Sequence, residues 1–312
     1  MIRIIANPVA GGGKALSDAS RLARVCADAG IPTHVHVAAS RDDTVRTARD
    51  AAHLGLVVAC GGDGTVHDCL NGVMSAGLAL PRLAIWPAGT GNDIGRGLES
   101  AGGRTPETRE HDFSPEDFAA AVLDESFLRV DVGSAITAND SSVMESPSYF
   151  LGVLSCGFDS DVNERANAMP ARVGKARYLL GVARELPSFR PRWYAIDSDG
   201  ADSSMAGMVL AIGNGPAYGS GMMICPAADM TDGLLDVTLV TDTPKRTFVS
   251  VLPRVYTGRH IDHPSVVSWR ARRLRIDAPD SLVYADGERL GPLPAVVEIH
   301  PGALEVLDVP RT

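Results

Sequence analysis

Three short apolar runs constrain the fold of this chain more than any other feature: Ile2-Arg3-Ile4-Ile5-Ala6, Leu56-Val57-Val58-Ala59-Cys60 and Leu83-Ala84-Ile85-Trp86. Each stops at a glycine-rich turn, and helical spacing resumes after it, over residues 15–29, 65–74 and 92–98. Residues 33–37 read as a further strand and 43–53 as a helix, with Val45, Ala48 and Ala52 near one face. Strands that are apolar at nearly every position are buried on both sides, which calls for helices on both faces of a parallel sheet. An α/β domain is therefore expected over the first part of the chain.

Beyond Asp131 the pattern changes. Strands are expected at 149–154, 192–196, 208–212, 235–240, 267–276, 282–284 and 296–299, with helices at 174–186 and 245–256. Residues 138–148 and 197–204 are polar and read as loops. A second, β-rich domain follows from this, and 312 residues suffice for two cores.

The turn Gly61-Gly62-Asp63-Gly64-Thr65 carries the first chemical signal. Its glycines let phosphate oxygens approach the backbone. The helix that Thr65 can cap offers N–H groups and a positive dipole end. An aspartate in such a turn repels phosphate unless it works through Mg²⁺ or orients a hydroxyl, which points to phosphoryl transfer. Taken alone, the motif also fits a plain tight turn. A second turn, Pro87-Ala88-Gly89-Thr90-Gly91-Asn92-Asp93, follows the next strand, so both lie at one sheet edge, where open α/β sheets bind ligands. The turn Asn7-Pro8-Val9-Ala10-Gly11-Gly12-Gly13-Lys14 is no Walker loop, because GxxxxGK[ST] needs glycine at 8 and Ser or Thr at 15, where Pro8 and Ala15 stand. It reads as a glycine-rich anion loop of a different kind.

In this order, NPxxG, GGDGT and GTGND resemble the diacylglycerol kinase catalytic-domain family, which includes bacterial lipid kinases and the related sphingosine and ceramide kinases. The likeness continues through Gly157-Phe158-Asp159, Asn214-Gly215, Tyr218-Gly219-Ser220-Gly221-Met222, Asp232-Gly233-Leu234-Leu235-Asp236-Val237 and Asp286-Gly287-Glu288. The resemblance implies an NAD kinase/phosphofructokinase-like α/β nucleotide-binding domain over 1–132, with a C-terminal return at 303–312. It also implies a C-terminal β-sandwich domain over 133–302, with the active site between the two. ATP would be held by Asn7, Pro8, Val9, Ala10 and Gly11, by Gly62, Asp63, Gly64, Thr65, Val66, His67 and Asp68, and by Ser40 and Thr90. Asp63, Asp93 and Asp131 correspond to a Mg²⁺ network, and Asp229, Asp232 and Leu234 to a second, structural Mg²⁺ site. Glu288, with Asp63 and Asp93 catalytic beside it, corresponds to the base that takes the proton of a lipid hydroxyl, diacylglycerol being the expected acceptor and phosphatidic acid the product. One departure stands out: His67-Asp68 replaces the family's Asn-Glu, which leaves nucleotide preference open.

Composition narrows the alternatives. A formal charge of −9 does not suit a protein that coats nucleic acid. Five cysteines without a CxxC pair fit reduced thiols in the cytoplasm. The N-terminal apolar stretch is too short for a signal peptide, and no run reaches the roughly 18 apolar residues of a membrane span. A lipid acceptor would then be met peripherally, at the inner face of the membrane. Arg165, Arg172, Lys175, Arg177, Arg184, Arg190 and Arg192 fit either a solvated helix face or an attraction to anionic headgroups. Two other functions stay open, a soluble-substrate kinase such as an NAD kinase, which shares GGDGT, and a non-catalytic nucleotide- or lipid-binding regulator. Strands exposed in the second domain allow a homodimer.

Overall fold

The structure, a computed structural model, describes residues 1–89, 91–103, 113–138, 147–167 and 176–309. Its first part alternates β1 (Ile2–Ala6), α1 (Lys14–Asp28), β2 (Thr33–Val37), α2 (Arg41–Ala52), β3 (Leu56–Gly61), α3 (Asp63–Met74), β4 (Arg82–Pro87), α4 (Asp93–Ser100) and α5 (Pro115–Leu123). β1 lies parallel to β2 and β3, and β3 to β4. The two-residue period of a strand decides which helices each residue meets. Leu56, Val58 and Cys60 pack with Leu22 of α1 and Phe118 of α5, while Val57 and Ala59 pack with Ala48 of α2 and Leu70 of α3. Each large aliphatic side chain buried this way contributes about 1.5–3 kcal/mol.

The second part comprises β5 (Phe127–Thr137), β6 (Ser148–Phe150), β7 (Val153–Gly157), α6 (Phe158–Asn167), α7 (Ala176–Glu185), β8 (Arg192–Ser198) and β9 (Ala201–Gly213). β10 (Leu235–Thr241), α8 (Lys245–Val255), β11 (Val266–Ala271), β12 (Arg273–Asp277), β13 (Leu282–Ala285), β14 (Glu288–Pro292) and β15 (Ala295–Leu307) complete it. Its strands pair antiparallel in the order β14-β13-β7-β9-β8-β12-β15, with β10 and β11 carried on β9. Tyr194, Leu210, Val237, Leu274 and Val297 form its apolar interior. β15 joins the two parts: residues 295–300 pair with β5, and after an irregularity Glu305 and Val306 lie parallel to Arg82 and Leu83 of β4. The mixed architecture is the expected one.

Three stretches differ from the sequence reading, each for a local reason. Residues 197–204, expected as a loop, are the turn of a hairpin: Asp199 and Gly200 both have positive φ, and β9 begins at Ala201. The exposure of residues 201–204 hides that strand from any apolar pattern. The strand expected over 267–276 is two, divided at Arg272, where the Asp199 carboxylate takes the N–H groups of Arg272 and Arg273. The strand expected over 149–154 breaks at Leu151 and Gly152, whose N–H groups go to the Asp286 side chain. Of the helix expected at 174–186, residues 176–185 are helical and 174–175 lie outside the described residues.

The basic segment is partly neutralised internally, with Arg165 on Glu185 at 2.6 Å and Arg192 on Asp161 at 2.8 Å; Arg172 and Lys175 lie outside the described residues. Among the described residues no helix is long and apolar enough to cross a membrane. All five cysteines are buried, and burial pushes the thiols of Cys60, Cys156 and Cys225 up to about 12. The folded protein is therefore expected to resist iodoacetamide at neutral pH and to react at these positions only after unfolding. Mass spectrometry after a brief native pulse checks this, and a rapidly labelled cysteine would contradict it.

Candidate active site

Three turns converge at the carboxyl edge of the parallel strands. Asn7 opens the first, donating from Nδ2 to Thr65 Oγ1 at 3.1 Å and accepting the Val9 N–H at 3.1 Å. Gly11 has φ +58, and a Cβ there would fall 2.4 Å from the Ala88 carbonyl oxygen. Gly62 and Gly89 meet as closely, a Cβ on Gly89 standing 2.5 Å from Gly62 Cα. Part of the glycine pattern therefore serves the contact between turns rather than a ligand. Gly62 caps α3, whose first turn faces the cleft with N–H groups that have no partner within the helix.

The β-rich part supplies the opposite wall. β13 and β14 are joined by Asp286-Gly287, both at positive φ, the requirement of a two-residue hairpin turn. This turn fixes Glu288 as the first residue of β14. The Asp286 side chain is fully buried; it accepts the N–H of Leu151 at 3.1 Å and of Gly152 at 2.8 Å, and lies 3.3 Å from His67 Nδ1. Glu288 Oε2 accepts from Arg41 Nη1 at 2.5 Å. Arg41 is forked onto Asp68 through Nη2 at 2.8 Å and Nε at 3.2 Å. The other oxygen, Glu288 Oε1, stands over the start of α3, 2.8 Å from where a Cβ on Gly64 would sit.

Asp63 is the first residue of α3. Its Oδ1 accepts the Ile94 N–H at 3.2 Å, and its Oδ2 turns toward Gly91. Burial raises its pKa, and the neighbouring charge of Asp93 raises it further. Asp93, only 7% exposed, accepts the N–H groups of Ser220 and Gly221 at 2.6 and 2.8 Å and pairs with Arg96. It thereby brackets the GTGND turn to the 218–222 loop. Burial likewise raises the Glu288 carboxyl, against the opposing charge of Arg41.

These groups surround a cleft of about 760 Å³. Asn7, Ala10, Gly11, Gly62, Asp63, Gly64, Thr65, Asp68, Asp93 and Glu288 line it. Others among the sequence candidates stand elsewhere. Ser40 caps α2, accepting the Asp43 N–H, Val66 is buried in the core beneath α3, and His67 turns to Asp286. Pro8 and Val9 lie off the cleft lining, with Val9 exposed, and Thr90 falls outside the described residues.

Asp131 is separated from Asp63 and Asp93. Its buried carboxylate takes the N–H groups of Gly233 and Gly302, beside Asp229 and Asp232. Asp229 accepts from Gly102 and Thr231, and Asp232 accepts the Leu234 N–H. Among the described residues no three-residue cluster is arranged to hold a metal unaided. Sequence reasoning missed Arg41 and the interior role of Asp286. The Asp-Gly hairpin signal could have found Asp286. Nothing local marks Arg41, whose partner Glu288 is 247 positions away.

Comparison with known proteins gives the family of the chain. Residues 1–135 match the diacylglycerol kinase catalytic domain, and residues 152–308 match the YegS C-terminal NAD kinase beta sandwich-like domain. The chain belongs to the diacylglycerol kinase family. It is similar to the diacylglycerol kinase of Mycobacterium tuberculosis, with 33% identity over 311 residues, 98% of this chain and 94% of that one. It is 27% identical over 309 residues to the protein named "Probable lipid kinase YegS" of Salmonella typhimurium, covering 96% and 93%. A solved diacylglycerol kinase from Bacillus anthracis shares the fold, with TM-score 0.70 and 21% identity over 99% and 97% of the two chains. Yeast NADH kinase shares it more loosely, with TM-score 0.54 and 11% identity over 100% and 84%.

Proposed function

We propose that this protein is an ATP-dependent lipid kinase that moves the γ-phosphoryl group to a lipid hydroxyl, with diacylglycerol as acceptor and phosphatidic acid as product. The family supports the kinase, and the names of the relatives support the lipid. One observation carries the reading: Glu288 Oε1 stands over the helix N-terminus that would cradle the phosphates, inside one cleft. Ile94, Val153, Ala217 and Met222 add apolar lining to the same cleft, which suits an acyl-bearing substrate.

In the transfer, Glu288 takes the hydroxyl proton as the acceptor oxygen forms its bond to the γ-phosphorus. The bond from that phosphorus to the β–γ bridging oxygen breaks, and its electron pair leaves with ADP. The turn containing Gly62 and Gly64 and the first turn of α3 hold the phosphates by backbone N–H groups. Mg²⁺ fits the acidic wall. Asp63 is a buried carboxylate disfavoured as an anion by Asp93, and Mg²⁺ characteristically uses one or two carboxylates with substrate phosphates and water. The ion would supply positive charge to the transferring group. Asp232, with the backbone oxygens of Asp229 and Leu234, would make the second, structural Mg²⁺ site. We place the enzyme in the cytoplasm, reaching its lipid at the membrane surface.

Purified protein incubated with labelled ATP, Mg²⁺ and a panel of lipids in mixed micelles tests the reading. Label is expected in phosphatidic acid. Transfer to NAD without lipid would replace it with the soluble-substrate alternative, and no transfer to any acceptor by folded protein would sink it.

A further inference from the structure

Arg41 is an unusual resident of a site whose ligand is a polyanion. It is the first residue of α2 and reaches into the cleft, yet both faces of its guanidinium fork are engaged by protein carboxylates. Asp68 on α3 holds Nε and Nη2, and the remaining Nη1 meets Glu288 Oε2 at 2.5 Å. The contact crosses from the α/β part to the β-rich part. A carboxylate pinned at one oxygen has one oxygen left for chemistry, and here that oxygen stands over Gly64 at the start of α3.

We propose that Arg41, anchored by Asp68, is a positioning residue that pins Glu288 Oε2 and presents Oε1 as the atom that receives the acceptor proton. The inference rests on the lipid-kinase reading for its reaction, but the pin itself is a property of the folded chain. A glutamate side chain has three rotatable bonds, and without the pin Oε1 samples positions away from the phosphate-binding turn. Arg41 also sets the charge of the base. Burial pushes the Glu288 carboxyl up, Arg41 opposes this most strongly, His67 also opposes it, and Asp68 acts the other way. Asp286 lies behind His67. The Asp68 that replaces the family's usual glutamate is thus the residue that keeps Arg41 in place.

The test compares wild type with Arg41→Met, Arg41→Lys and Asp68→Asn. Arg41 is more than half exposed, so its substitutions leave the fold intact; Asp68 is buried, and asparagine keeps its volume. Arg41→Met is expected to lower kcat by about ten- to a hundredfold, the scale of a misplaced catalytic group. The ATP KM should stay unchanged, and the acid limb of the kcat–pH profile should move to higher pH. Asp68→Asn should lower kcat by less and without the upward move of the limb, because it also removes the Asp68 charge that raises the carboxyl. Arg41→Lys keeps the charge but not the fork, so it should restore the pH limb more than the turnover. A carbon-13 titration of the Glu288 carboxyl, assigned with Glu288→Gln, should show the same upward movement in Arg41→Met with no substrate present. A raised ATP KM with unchanged kcat would make Arg41 a nucleotide ligand and overturn the proposal. So would a pH profile and carboxyl titration that superimpose on wild type. If wild type transfers phosphate to no lipid, the functional reading fails, while the carboxyl titration still decides the pin.

Discussion

Glu288→Gln is expected to bind nucleotide as wild type does and to lose at least about a hundredfold in turnover, the usual scale for removing a general base. The amide keeps the volume of the carboxylate and can still accept from Arg41, so the cleft should hold its shape. What it cannot do is take a proton. The pH dependence sharpens this expectation. In wild type the active form is the carboxylate, so kcat rises with pH as Glu288 loses its proton. Burial places that limb above the ordinary glutamate range. The residual activity of the variant should lack this limb. Calorimetric titration with a non-hydrolysable nucleotide, beside kcat across pH, checks both halves. Near-normal turnover would remove Glu288 from the base role.

Asp63→Asn should separate activity from stability. Turnover is expected to fall by about a hundred- to a thousandfold, since metal-borne charge stabilisation is worth several kcal/mol. The nucleotide-free protein should become more stable. The folded-state pKa of Asp63 is raised above its unfolded value by burial and by Asp93, so its carboxylate opposes folding. That penalty is absent below the unfolded pKa, grows as pH rises through the folded one, and is complete above it. The melting temperature of the variant should therefore exceed wild type at neutral pH, and the gap should close in acid. Added Mg²⁺ and nucleotide should raise the wild-type melting temperature more than that of the variant. Scanning calorimetry across pH, with and without ligand, reads all of this, and a variant less stable than wild type at neutral pH would show that Asp63 is held by compensating contacts. Activity limited by such a carboxylate pair would be an instance of stability exchanged for function.

The sequence by itself was enough for the parallel sheet, because β3 is apolar at each position and only a strand covered on both faces uses such a run. It was also enough for the glycine turns, since a turn's chemistry is local, and for the order of motifs that sets the family. Strands whose outward face is polar were less legible: the first residues of β9 are exposed, and β14 carries no apolar alternation. What only the tertiary structure decided is the company each acidic residue keeps. Asp63 and Asp93 meet at one wall, Asp131 turns away to the N–H groups of Gly233 and Gly302, and Asp286 spends its carboxylate on the backbone at 151–152. Glu288 reaches Arg41 across 247 positions of chain. Local sequence fixes φ and ψ preferences within a few residues. Long-range pairing of carboxylates with their donors follows from how β15 and the Asp286-Gly287 hairpin fold the second part against the first, and no spacing along the chain records it.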